Sequence, residues 1–158
     1  MLPPGSERGK MDKLILIAED ELKTLKIIRN LLLYYGYPLM IAKTGEAALR
    51  AALECRPDLI LMDLHGPGLD GLEVARILKK DVATRKIPLL VLGMSPLKWN
   101  ARRSRTSLCD GLAAKPLYLP SLLETIQRFL PSKPAHAAAH GPLSAGKRPF
   151  SHMTIPPA

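Results

Sequence analysis

Residues 57–71 read Pro57-Asp58-Leu59-Ile60-Leu61-Met62-Asp63-Leu64-His65-Gly66-Pro67-Gly68-Leu69-Asp70-Gly71. Leu59 to Met62 form a short apolar run bounded by turn formers, the pattern of a strand buried on both faces of a parallel sheet. Asp63 ends the run, and in an open α/β sheet the carboxyl ends of the strands face the ligand crevice. Gly66, Pro67, Gly68 and Gly71 then make a loop too rich in turn residues for helix or strand. A helix begins near Asp70.

An acid just past a strand is often only a solvated turn or a helix cap. Here a second apolar run, Leu14 to Ala18, also ends in acid, at Glu19-Asp20-Glu21. Two parallel strands ending side by side bring Glu19, Asp20 and Asp63 together. Three ionised carboxylates in proximity call for a cation, and oxygen-liganded Mg²⁺ is the natural choice.

The remaining elements alternate. Glu21 to Tyr35 has helical spacing, with Leu22, Leu25, Ile28, Leu31, Leu32 and Tyr35 apolar and Lys23, Lys26, Arg29 and Asn30 polar. Gly36 stops it, and a second strand is expected around 38–42. Thr44 caps a helix whose apolar set is Ala47, Ala48, Leu49, Ala52 and Leu53, closed by Pro57. After a helix over 70–80, residues 87–92 read as a fourth strand. Residues 96–108 read as a weaker, strongly basic helix, 111–114 as a fifth strand ahead of Lys115-Pro116, and 121–130 as a last helix. Five strands alternating with helices imply a doubly wound parallel α/β sheet covered on both faces.

With 158 residues and 47% hydrophobic content the chain suits one globular domain. Residues 1–10 read as a flexible extension without an export or membrane segment. Residues 132–158, rich in Pro, Ala, Ser and His, read as a disordered basic tail. Of the net charge of +9, residues 1–10 carry +1 and 132–158 carry +3, which leaves +5 within 11–131. That excess favours anionic partners. Cys55 and Cys109 have no ligand spacing and read as reduced, in a cytoplasmic setting.

From 11 to 131 the chain resembles the receiver domain of bacterial two-component response regulators, the CheY-like family. The resemblance rests on Glu19-Asp20 after strand one, Asp63 after strand three, Pro67 with Asp70-Gly71 in the next loop, and Lys115-Pro116 after strand five. It implies a flavodoxin-like sheet of order 2-1-3-4-5. It also implies that Asp63 accepts a phosphoryl group from a histidine kinase or phosphotransfer protein. On the same ground Glu19, Asp20, Asp63 and the backbone carbonyl of His65 would hold Mg²⁺, and Lys115, before a cis peptide to Pro116, would pair with Asp63 or its phosphate. The chain would then be a phosphoacceptor, able to dephosphorylate itself, rather than an enzyme.

Two positions depart from the family pattern. Gly93 stands where strand four ends in Thr or Ser, with Ser95 two residues out of alignment, and Leu112 stands where an aromatic side chain is usual. A phosphorylation-independent pseudo-receiver acting as a protein-binding adaptor is therefore a second reading. Lys98, Arg102, Arg103 and Arg105 form a basic cluster that would face a downstream protein with an acidic surface. A nucleic-acid-binding adaptor using this cluster and Trp99 is a third, weaker reading. The His65 side chain is expected to face solvent.

Overall fold

The computed structural model describes residues 13–65, 67–93 and 108–130, together with the backbone of 152–155. The elements are β1 (Ile15–Ala18), α1 (Leu22–Tyr34), β2 (Leu39–Ala42), α2 (Gly45–Cys55), β3 (Leu59–Asp63), α3 (Gly71–Lys80), β4 (Leu89–Leu92), β5 (Gly111–Ala113), α4 (Leu119–Phe129) and β6 (His152–Ile155). All strand pairs are parallel, and the sheet order is β5-β4-β3-β1-β2-β6. The expected 2-1-3-4-5 order is present, with a sixth strand beside β2.

Alternation along the strands sorts the core into two layers. Leu16, Ala18, Met40, Ala42, Ile60 and Met62 pack on one face beneath α2 and α3, which contribute Ala47, Ala48, Ala51, Ala52, Val74, Ala75 and Leu78. Ile15, Ile17, Leu39, Ile41, Leu59 and Leu61 pack on the other beneath α1 and α4, through Leu25, Ile28, Leu32, Leu122 and Ile126. Each large side chain buried this fully is worth roughly 1.5–3 kcal/mol. The four alanines of α2, all fully buried, leave no side-chain bulk between that helix and the sheet.

Caps follow the sequence signals at two helices. The Thr44 hydroxyl accepts from Ala47 N at 3.1 Å, and Asp70 Oδ1 accepts from Leu72 N at 3.2 Å. Gly71 is required by close approach, since a Cβ there would lie 2.8 Å from Leu64 Cα. Only glycine lets α3 start directly on the turn that follows Asp63.

Several expectations need correction. β4 begins at Leu89 rather than Ile87, and α4 begins at Leu119, with Pro120 in its first turn where a missing N–H is harmless. Leu22 and Leu53, assigned to apolar helix faces, are exposed. Leu108, placed at the end of the basic helix, lies in a bend and packs into the core. Residues 152–155, read as part of a disordered tail, pair with β2 in the register His152 to Leu39 through Ile155 to Ala42. Residues 1–10 and the basic cluster of Lys98, Arg102, Arg103 and Arg105 lie outside the described residues. Among the described residues no helix is long and apolar enough to cross a membrane.

Candidate functional site

Strand register assembles the site. Ala18 pairs with Met62, so Glu19 and Asp63 emerge side by side at the carboxyl edge of the sheet. Asp63 pairs with Leu92, and Leu92 with Ala113, which brings Gly93 and Lys115 to the same edge. Glu19, Asp20 and Asp63 each present one carboxylate oxygen, and these atoms all lie within 4.8 Å of one another. Glu19 is buried, Asp63 half-buried and Asp20 exposed.

Glu19 and Asp63 are held differently. Glu19 Oε1 accepts from the backbone N–H of Asp20 at 3.1 Å and of Glu21 at 3.0 Å, and Oε2 accepts from Lys115 Nζ at 2.9 Å. Burial pushes the Glu19 carboxyl above its usual range, and the Asp63 charge adds to this, against the lowering effect of the Glu21 N–H and Lys115. Asp63 Oδ1 accepts from His65 N at 2.9 Å, and Oδ2 accepts from Lys115 Nζ at 3.3 Å. The His65 side chain is exposed, as expected.

Lys115 therefore bridges the acids from the far side of the cleft. Partial burial pulls its pKa down, but the hydrogen bond to Glu19 and the charges of Glu19 and Asp63 outweigh that, and the net shift is upward. Glu21 joins at 3.8 Å, a partner that sequence spacing did not single out. The Lys115–Pro116 peptide is cis, as the resemblance implied.

Gly93 and Leu112 both lie among the described residues. Gly93 has φ +90°, its N–H donates to Ala113 O at 2.7 Å, and a Cβ there would stand 3.5 Å from the Lys115 stem. Its backbone conformation is one that an L side chain rarely adopts. Leu112 is half-buried in β5 and packs against the core under α2 and α3. It is held as an apolar core residue. Ser95 lies outside the described residues.

A cleft runs beside the acids between α2 and the loop after β3, lined by Ala18, Thr44, Gly45, Ala48, Leu69 and Val74. There Glu46 of α2 accepts a hydrogen bond from Leu69 N at 2.8 Å. No sequence signal pointed to this contact. Glu46 sits two residues after the capping Thr44, not the three that a reciprocal capping box needs.

As a donor set, three carboxylate oxygens at strand ends, one of them exposed, fit a hard divalent cation such as Mg²⁺. They also place a nucleophile-capable carboxylate beside a fixed ammonium. Residues 15–127 match the family described as the response regulator receiver domain. A polar-differentiation response regulator DivK from Brucella anthropi is 38% identical over 120 residues, which span 76% of this chain and 98% of that protein. The receiver domain of a sensor histidine kinase from Pseudomonas aeruginosa PAO1, solved with a magnesium ion coordinated in its active site cleft, superposes with a TM-score of 0.69 at 28% identity. That match covers 77% of this chain and 99% of that one. The chemotaxis response regulator CheY4 of Vibrio cholerae gives a TM-score of 0.67 at 26% identity over 75% of this chain and 98% of its own. Matched by that family over residues 15–127 and 38% identical to a response regulator over 120 residues, the chain belongs to the response regulator receiver domain family.

Proposed function

We propose that this receiver domain is a phosphoacceptor in a two-component phosphorelay, taking its phosphoryl group on Asp63 from a phosphohistidine of a histidine kinase or phosphotransfer protein. The observation that carries the reading is the bridging of Glu19 and Asp63 by Lys115, at 2.9 and 3.3 Å, beside a third acid within 4.8 Å. In the transfer, an Asp63 carboxylate oxygen bonds to phosphorus as the P–N bond breaks, and the electron pair returns to the imidazole nitrogen. Lys115, already within reach of Oδ2, holds the carboxylate in place and offsets the charge that arrives with the phosphoryl group.

Glu19, Asp20 and Asp63 are the residues that would hold Mg²⁺, with the His65 carbonyl as a further ligand in the turn that follows. When bound, the ion supplies charge neutralisation between carboxylates and phosphoryl oxygens. The chain accepts a group rather than turning over a substrate, and hydrolysis of its own acyl phosphate would end the signal. A cytoplasmic location goes with this reading.

Gly93 and Leu112 favour a second reading, a pseudo-receiver that binds its protein partner without phosphorylation. Neither residue carries a hydroxyl or a ring to move with a phosphate. The basic cluster at Lys98, Arg102, Arg103 and Arg105 supports a downstream partner with an acidic face under either reading. Acetyl phosphate with Mg²⁺, followed by intact-mass measurement, separates the two. A single added phosphoryl group, abolished by removal of Mg²⁺, supports the phosphoacceptor, and an unchanged mass supports the adaptor.

A further inference from the structure

The loop between β3 and α3 follows Asp63 directly, so its conformation sets the turn at the edge of the acidic site. It is tied to the start of α2 at several points. Glu46 Oε1 accepts from Leu69 N at 2.8 Å across 23 residues of sequence. Gly45 N donates to Pro67 O at 3.2 Å. The two glycines fit this contact, Gly45 against the loop backbone and Gly68 against the end of the Glu46 side chain at a φ that L side chains rarely adopt. A Cβ on Gly68, where φ is +83°, would lie 2.2 Å from Glu46 Oε2, and a Cβ on Gly45 would lie 2.0 Å from Leu69 O.

An acid in the first turn of a helix is favourable in itself, through the exposed N–H groups there. Glu46 does more, because one of its acceptors serves a loop that belongs to another part of the chain. Its carboxyl is held below the usual range, by its own backbone N–H first, then by Leu69 N–H and the Thr44 hydroxyl. The clasp is therefore ionised at neutral pH and closed by charge-assisted hydrogen bonds.

We infer that Glu46 is a positioning residue for the cation site: with Gly45 and Gly68 it clasps the loop after Asp63 and holds the ligand-bearing turn at His65 in place before the ion binds. This deepens the phosphoacceptor reading and rests on it. Loss of an outer partner that orients ligands typically costs about tenfold or more in metal affinity.

The test follows Mg²⁺ titration by the amide shifts of His65 and Leu69 in the full-length chain, in the wild type and in Glu46→Ala, Glu46→Gln and Gly68→Ala. Glu54→Ala, at the exposed far end of α2, is the control. The inference expects Glu46→Ala and Gly68→Ala to weaken Mg²⁺ binding by about tenfold. Glu46→Gln, which keeps an acceptor for Leu69, should recover most of the loss, and Glu54→Ala should bind as the wild type does. Joining Glu46→Ala to Gly68→Ala should add little, because both open one clasp. A fall in thermal stability in Glu46→Ala without a change in Mg²⁺ affinity overturns the inference and leaves the phosphoacceptor reading standing. Absence of any Mg²⁺ response in the wild type overturns that reading and the inference with it.

Discussion

Replacing Asp63 with asparagine should make the metal-free protein more stable, although the residue is half-buried and hydrogen-bonded. Carboxylate oxygens of Glu19, Asp20 and Asp63 lie within 4.8 Å of one another. Each like-charge pair then costs about 3.5 kcal/mol at an effective dielectric of about 20, and about 1 kcal/mol if water screens it fully. Asp63→Asn removes two such repulsions and one attraction, to Lys115 at 3.3 Å, which is worth about 5 and about 1.3 kcal/mol on the same two scales. The remainder favours asparagine by about 0.5–2 kcal/mol, toward the lower figure because Asp20 is exposed. The substituted amide keeps an oxygen for the His65 N–H, so little packing changes.

Urea unfolding at neutral pH with a chelator measures this, and a gain of about 1 kcal/mol moves the midpoint by about 0.5 M. Mg²⁺ at about ten times its dissociation constant should stabilise the wild type by about 1.4 kcal/mol and the variant far less. A metal-free variant less stable than the wild type by about 1 kcal/mol, or equal stabilisation of both by Mg²⁺, would refute the electrostatic reasoning.

Three further outcomes follow from other parts of the molecule. Among the described residues the buried Tyr37 hydroxyl has no hydrogen-bond partner, so Tyr37→Phe should raise stability by about 1 kcal/mol. Burial also raises the Tyr37 pKa, so the wild type should lose stability as pH climbs past about 10, where the unfolded tyrosine ionises, while the Phe variant keeps it; denaturant midpoints at neutral and alkaline pH check both. Gly93→Ala should cost about 1–2 kcal/mol because φ is +90° there, and Gly93→Thr should cost more, which a thermal melt of each variant reads directly. Deletion of residues 152–158 should speed hydrogen exchange at β2 amides facing the vacated edge and leave β1 and β3 unchanged, because β6 covers β2 alone.

The fold was legible because its signals are local. Short apolar runs ending in acid, helical spacing over 22–34, and the caps at Thr44 and Asp70 each act over a few residues. Glu19, Asp20, Asp63 and Lys115 could be placed at one edge because parallel strands of similar length end together. What stayed hidden depends on partners distant in sequence. Lys79 Nζ donates to Ile87 O at 2.9 Å and to Asp110 Oδ2 at 2.8 Å, and Asp110 also accepts from Leu89 N at 2.8 Å. That group ties α3 to the starts of β4 and β5, yet each residue alone reads as a solvated surface charge. Glu46 was hidden in the same way. Leu22 shows the opposite failure, since helical spacing admits it to the apolar stripe but it stands at the first position of α1, and it is 59% exposed. Residues 152–155, His-Met-Thr-Ile, do alternate polar and apolar, but over only four positions beside a Pro-rich stretch, and pairing with the open edge of β2 supplies what so short a pattern does not.

Phosphoryl transfer to Asp63 tests the central claim most directly. A phosphohistidine-bearing phosphotransfer protein is mixed with the receiver in Mg²⁺, and the modified residue is located by peptide mass mapping after the acyl phosphate is trapped. The account predicts one phosphoryl group, on Asp63, absent from Asp63→Asn and slowed in Lys115→Ala. A phosphoryl group on any other residue, or one that persists undiminished in Asp63→Asn, would contradict it.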